Sequence, residues 1–262
     1  SRDGRHAAVR VRPLRRLMLR TLWYYAVLLV VTIVHASGTL LGSMLRIKHR
    51  PGGIYDWGTS TWSRRVLRGA GTPVQVEGFD RIPVGGPVVY ASNHSSMFDI
   101  WALAAALPGS IRFVAKQELA RIPLLGPAMV AAGHVTIDRT NRARAMEAYA
   151  QAARTIRERG ISVVVFPEGT RSRTGELGPF KNAPFGLAIA AQVPLVPVYV
   201  HATFRILPKG ARWLHPMPIR LLVGDPIPTA GLTLHDRESL RERAHAAIVG
   251  LRARVDDAPG AP

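Results

Sequence analysis

The chain has no cysteine among its 262 residues. That absence excludes disulfides, thiolate zinc sites and any covalent intermediate on a thiol. Acidic residues are scarce, with 17 Asp and Glu against 35 Lys and Arg. Lysine is scarcer still: four residues stand beside 31 arginines. The resulting net charge of +18 excludes an acidic, solvating class of protein and points to anionic partners. A nucleic acid is not the partner indicated. No interleaved basic and aromatic recognition pattern is present, and an arginine- and alanine-rich codon usage accounts for part of the bias. With 47% apolar residues the chain is not disordered, and its length allows one sizeable core plus an appendage. No internal repeat is visible.

The charge is unevenly placed. Residues 1–50 hold ten Arg and Lys and one Asp, whereas residues 234–262 are balanced at five of each sign. Behind the basic arm runs "TLWYYAVLLVVTIVHASGTLLGSML", Thr21 to Leu45, without Asp, Glu, Lys or Arg. It exceeds the roughly 20 residues needed to cross a bilayer. It is too long for a cleaved signal core, and Trp23, Tyr24 and Tyr25 suit a membrane interface. Arg46, Lys48, His49 and Arg50 follow, so both flanks are cationic. A single span would carry one basic cluster to the far side, against the positive-inside tendency. The expectation is a helix–break–helix hairpin, broken at Ser37-Gly38 and dipping into the cytoplasmic leaflet, in preference to a span. Residues 1–50 are therefore read as a basic arm with a membrane-associating hairpin or span, 51–255 as an α/β domain, and 256–262, "DDAPGAP", as a disordered tail.

From residue 73 the pattern alternates. "PVQVEGF", "GPVVYASN", "IRFVAK", "HVTIDR", "ISVVVFP", "VPLVPVYV" and "IRLLVG" read as strands. "MFDIWALAAAL", "PLLGPAMVAAG", residues 142–159 and "NAPFGLAIAAQ" read as helices between them. A last helix opens at Thr233-Leu-His-Asp236, a capping-box pattern. Continuous apolar strands alternating with helices predict an α/β fold, with a mixed, largely parallel sheet flanked by helices on both faces.

His94 precedes Asp99 by five residues in "ASNHSSMFDIW". Five residues turn about 500° around a helix, so on one helix the two side chains would point roughly 140° apart. They meet only if His94 lies in a turn and Asp99 in the first turn of the helix after it, with Ser95 or Ser96 as N-cap. A carboxylate on Nδ1–H would hold the tautomer that leaves Nε2 free to take a proton. In "FPEGTRSRTGELGPFK", Gly169 allows backbone N–H groups to approach an anion and Arg171 offers a fork for phosphate or carboxylate. Arg139 stands at a strand end, with Arg142 and Arg144 read as solvated charges beyond it. Lys116 closes another strand. In a parallel sheet all these carboxyl ends lie on one edge, where α/β ligands bind. His94, Lys116, Arg139 and Glu168–Arg171 converge there. No Asp or His spacing indicates a metal.

These residues carry a resemblance. Asn93-His94-Ser95-Ser96-Met97-Phe98-Asp99 resembles the N-H-x-x-x-x-D motif of glycerophospholipid acyltransferases, the 1-acyl-glycerol-3-phosphate (PlsC-type) group. Gly133–Arg139, Phe166–Ser172 and Val193–Val198 resemble that family's second, third and fourth blocks, in the family's order. The resemblance implies the glycerolipid acyltransferase fold, with His94 as base held by Asp99. It implies that Arg139 and Glu168-Gly169-Thr170-Arg171 hold the acceptor's phosphate, and Asn93, Ser95, Lys116 and Lys181 are placed with them as substrate-binding residues. It implies a fatty acyl thioester donor, acyl-CoA or acyl-ACP (acyl carrier protein), as co-substrate, with no cofactor. The acceptor expected is lysophosphatidic acid, with glycerol-3-phosphate or another lysophospholipid as the alternative. Anionic membrane lipids are expected partners at the cytoplasmic face of the cell membrane, and a non-catalytic lipid-binding protein is the rival of another class. One departure is visible: Asn182-Ala183-Pro184 follows Phe180-Lys181, where the family has glycine.

Overall fold

The computed structural model describes residues 3–138 and 140–256. The strands are β1 (Val74–Glu77), β2 (Val89–Ser92), β3 (Ile111–Lys116), β4 (Val135–Ile137), β5 (Ser162–Val165), β6 (Leu195–His201) and β7 (Ile219–Val223). They form one seven-stranded sheet in the order β1-β7-β6-β2-β5-β3-β4. All pairings are parallel except β6 with β7. β2 therefore sits at the centre, with the carboxyl ends of β5 and β6 on either side of its own.

The eight α-helices of the described residues are α1 (Asp3–Met44), α2 (Ile54–Ala70), α3 (Phe98–Ala106), α4 (Leu125–Ala131), α5 (Arg142–Arg159), α6 (Ala183–Ala191), α7 (Thr203–Ile206) and α8 (Arg237–Asp256). The period of two in the strands divides the core. Val89 and Ala91 join one apolar cluster with Ile156 of α5, Phe185 of α6 and Ile248 of α8. Val88 and Tyr90 join the other, with Tyr24 of α1, Val66 of α2 and Phe98 of α3. Both faces are covered, as a largely parallel sheet requires. α5 ends where Gly160 adopts φ 62°, and Thr233 with Asp236 forms the capping box ahead of α8.

The amino-terminal region differs from expectation in two respects. No break occurs at Ser37-Gly38: α1 is continuous through both residues. A break there would strip backbone N–H and C=O groups of partners in apolar surroundings, whereas a helical glycine costs only about 1 kcal/mol. The chain reverses at residues 45–53 instead. Ile47 N–H bonds Gly42 O across Arg46, which holds φ 54°, and Pro51-Gly52-Gly53 follows. The helical hairpin is thus α1 with α2. Gly69 lets the helices approach, since a Cβ there would lie 2.5 Å from Val27 Cγ1. Trp62 Nε1 donates to Thr32 Oγ1 across the pair at 3.0 Å. Leu14–Met44 is long and apolar enough to cross a membrane, and only 11% of its most apolar stretch is buried by the rest of the chain. The basic segment from Asp3 continues helically into it, and residues 257–262 of the expected tail lie outside the described residues.

Candidate active site

β2 delivers the chain to the sheet's carboxyl edge and Asn93 fixes its exit. Asn93 Nδ2 donates to Val200 O at 3.0 Å and its Oδ1 accepts Val200 N–H at 2.7 Å, lashing the end of β2 to β6. His94 lies in the turn and Asp99 in the first turn of α3. Nδ1 of His94 is 2.8 Å from Asp99 Oδ2. A carboxylate only accepts, so Nδ1 carries the proton and Nε2 the lone pair. Asp99 is fully buried, while the His94 side chain keeps 13% of its surface exposed. The pair is buried on the acid side and reachable on the base side.

Asp99 is held by more than the imidazole. Its Oδ2 also accepts Ser95 N–H at 2.7 Å and Ser96 N–H at 2.8 Å. Its Oδ1 accepts the Thr203 hydroxyl. These bonds replace the N-cap expected at Ser95 or Ser96. The N-cap is Met97, and the Asp99 carboxylate reaches back to the N–H groups of Ser95 and Ser96 themselves, while Ser96 Oγ meets the Phe98 N–H only at 3.4 Å. Ser96 Oγ donates instead to Leu207 O at 2.8 Å, and Ser95 Oγ meets Thr203 Oγ1 at 3.0 Å. Thr203 is presented by Ala202, whose φ of 74° turns the chain out of β6.

The third motif clasps His94 from the β5 side. Glu168 Oε1 accepts His94 N–H at 2.7 Å and its Oε2 accepts Gly178 N–H at 3.1 Å. Ser172 N–H donates to His94 O at 2.8 Å. The imidazole stacks on Phe166 with ring centres 4.0 Å apart and planes 17° from parallel. Burial pushes the Glu168 carboxyl up from its usual range, and the two N–H donors oppose that shift.

The expected site residues therefore divide. Asn93, Ser95 and Glu168 bond to the protein itself and position His94 and Asp99. Gly169, Thr170 and Arg171 follow Glu168 on the open edge, with Gly169 at φ 73°. Lys181 lies over this turn, since a Cβ on Gly169 would meet its Cε and Nζ at 3.0 Å. Its backbone N–H bonds Pro167 O, and Asn182-Ala183-Pro184 starts α6 directly behind it. Arg171 makes no ion pair among the described residues. Lys116 stands apart at the end of β3, half exposed and 2.9 Å from Glu118. Arg139 lies outside the described residues. Nothing in the spacing singled out Thr203 or Phe166. Thr203 follows β6 by two residues, so the strand-end rule that located His94 would also have found it.

An imidazole with its proton on Nδ1 and its ring partly exposed, tied to the turn that carries Gly169, Thr170 and Arg171, can take a proton from a hydroxyl near an anionic group. Comparison with known proteins accords with this chemistry. A family model described as acyltransferase matches residues 73–201. The human 1-acyl-sn-glycerol-3-phosphate acyltransferase alpha is 35% identical over 191 residues, covering 72% of this chain and 68% of the relative. The Cocos nucifera 1-acyl-sn-glycerol-3-phosphate acyltransferase is 33% identical over 180 residues, covering 69% of this chain and 57% of the relative. The crystal structure of the 1-acyl-sn-glycerophosphate (LPA) acyltransferase PlsC from Thermotoga maritima superposes with a TM-score of 0.79 at 25% identity, covering 94% of this chain and 98% of that one. The chain thus spans little more than half to two thirds of the curated relatives' length and nearly all of the bacterial structure, and it belongs to the 1-acyl-sn-glycerol-3-phosphate acyltransferase family.

Proposed function

We propose that this protein moves a fatty acyl group from a thioester, acyl-CoA or acyl-ACP, to the free hydroxyl of lysophosphatidic acid, giving phosphatidic acid. The observation that carries the reading is the His94–Asp99 pair, 2.8 Å apart, with its buried side saturated and its open side on the sheet edge that bears Gly169-Thr170-Arg171. The acceptor hydroxyl gives its proton to His94 Nε2 as its oxygen attacks the thioester carbonyl. A carbon–oxygen bond forms and the carbonyl electrons move to oxygen. Their return breaks the carbon–sulfur bond, and the imidazolium returns the proton to the departing thiolate. Asp99 stabilises the imidazolium between these steps. Arg171 and Lys181 face the phosphate, and Arg139 is assigned to the same task by its motif.

The exposed apolar side of α1 supports a membrane setting. Leu22, Trp23, Leu29, Val30, Ile33, Val34 and Leu41 are exposed. Each large side chain gains about 1.5–3 kcal/mol on leaving water. Arg15, Arg16 and Arg20 precede this stretch, and Arg46, Lys48 and Arg50 follow it. Cations at both ends favour a helix held against the cytoplasmic leaflet.

The test is product identification. Purified protein is incubated with lysophosphatidate or glycerol-3-phosphate and a mixture of acyl-thioesters, and the lipids are analysed by mass spectrometry. Phosphatidic acid is the expected product. Acylation of glycerol-3-phosphate alone would move the acceptor, and liposome binding without any product would make the chain a lipid-binding protein.

A further inference from the structure

Three of the four lysines stand near the sheet's carboxyl edge: Lys116 ends β3, Lys181 lies over Gly169, and Lys209 reaches Thr170. The third belongs to no motif. It lies on the segment from Leu207 to His215, between α7 and β7, and its Nζ is 3.5 Å from Thr170 Oγ1. The flanking backbone is bonded to the catalytic turn and to the apolar helix. Ser96 Oγ, three residues before Asp99, donates to Leu207 O at 2.8 Å. On the far side, Leu214 N–H donates to Thr21 Oγ1 of α1 at 3.1 Å, and the Tyr25 hydroxyl donates to Arg212 O at 3.3 Å. Between these ties Pro208–Ala211 makes a tight turn, closed by Ala211 N–H on Pro208 O at 3.0 Å with Gly210 at φ 88°. Lys209 is exposed, and among the described residues it has no carboxylate partner.

The turn that holds Thr170 is the one bonded to His94 at both ends, through Glu168 and Ser172. An amine at Thr170 therefore shares the edge with the imidazole. The same segment carries Trp213, 46% exposed, beside the part of α1 that shows Leu22 and Trp23 to solvent. An indole and a cation on one loop are the pair of groups that sits at a lipid–water boundary. The loop bridges the apolar helix and the catalytic turn.

We infer that Lys209 is a further binding residue for the acceptor's phosphate, closing over the anion from the α1 side while Lys181 lies on the Gly169 side. The inference rests on the function proposed above and adds the residue that takes the lipid headgroup. A lysine presents a compact point charge and Arg171 a fork, so the two can share one phosphate without competing for the same geometry.

Steady-state kinetics on detergent-solubilised full-length protein decide it, with lysophosphatidate varied at saturating acyl-thioester and then the reverse. Lys209→Gln should raise KM for lysophosphatidate by about tenfold or more, the loss of one charge-assisted bond. The kcat and the KM for the donor should stay within about threefold of wild type. Lys209→Arg should restore most of the KM, because it keeps the charge, and Lys209→Glu should be worse than the glutamine variant. An unchanged acceptor KM in Lys209→Gln overturns the inference. So does a fall in kcat alone, which would mark a structural lysine. The wild-type arm separates the two levels. No acyl transfer by wild type overturns the proposed function and this inference together, whereas an active wild type with an indifferent Lys209→Gln overturns only the inference.

Discussion

Asp56 and Asp99 are two carboxylates sunk into the fold at opposite edges of the same sheet. Asp56, on α2, accepts Arg112 Nη1 at 2.7 Å, the Ser110 hydroxyl and Gly52 N–H at 2.9 Å. Ser110 and Arg112 stand at the amino end of β3, and Arg112 is only 3% exposed. Asp99 has equally full company at the carboxyl edge, but its cationic partner is an imidazole. The guanidinium beside Asp56 is permanently charged and has no lone pair to offer. The imidazole beside Asp99 keeps one nitrogen available and some surface open. The same carboxylate chemistry therefore fastens the amino-terminal helix pair to the sheet at one edge and directs a base outward at the other.

The comparison breaks most visibly if the carboxylates are altered one at a time. Asp99→Asn places an amide among four donors and removes the acceptor that fixes the His94 tautomer. Turnover should fall by about 10²-fold or more, read from initial rates on folded protein. Asp56→Ala leaves the Arg112 charge buried without its partner and should cost about 3–5 kcal/mol of stability in chemical denaturation. The turnover of the molecules that remain folded should be unchanged. If Asp56→Ala instead abolishes turnover while stability holds, the division between the two edges is wrong.

A smaller change tests how far the positioning of Asp99 depends on β6. Thr203→Val removes one hydrogen bond to the carboxylate and should cost about 1.5–3 kcal/mol. Turnover should fall less than in Asp99→Asn, since the bond to His94 remains.

The weakest effect concerns acid. His134, half-buried next to β4, accepts Phe113 N–H on its Nδ1 at 3.1 Å. Burial, with Arg112 adding to it, pushes its pKa from 6.5 down to about 3. The folded state holds His134 neutral while the unfolded chain protonates it first. Its contribution is complete above pH 6.5 and is lost as pH falls toward 3. About 1 kcal/mol should go by pH 5, a value reduced for the residue's partial exposure, and His134→Gln should flatten that limb of the stability curve. His49, stacked on Tyr55 at 4.0 Å, is lowered in the same direction by burial and by Arg112. Both histidines lie near Arg112 and Asp56.

Much of the carboxyl edge was legible because it is local. A five-residue spacing, a strand before it and an apolar helix after it are enough to require that His94 and Asp99 meet, and all seven strands carry their own apolar signature. What joins distant segments was not legible. Thr203 lies 104 residues from Asp99, and Lys209 lies 39 residues from Thr170. Its place just after β6 marks Thr203 for the edge, but neither separation tells which partner the residue meets. A serine is the ordinary N-cap, and only the folded turn shows Met97 in that place, with the Asp99 carboxylate holding the Ser95 and Ser96 N–H groups. α2 was not read as a helix, since Gly58, Thr59, Ser60 and Thr61 weaken the signal and its burial depends on α1 and α3. The cationic flanks argue for a hairpin inside the apolar run, with Ser37-Gly38 as the natural place for its break. The chain turned where polar backbone meets water.

The most direct test is the turnover of His94→Ala in the lysophosphatidate assay, run beside its denaturation curve and its binding to lysophosphatidate-containing vesicles. Stability and vesicle binding should match wild type while the transfer rate falls by about 10²–10⁴-fold. Transfer at near-wild-type rate by a folded, lipid-bound His94→Ala protein would contradict the assignment of the base.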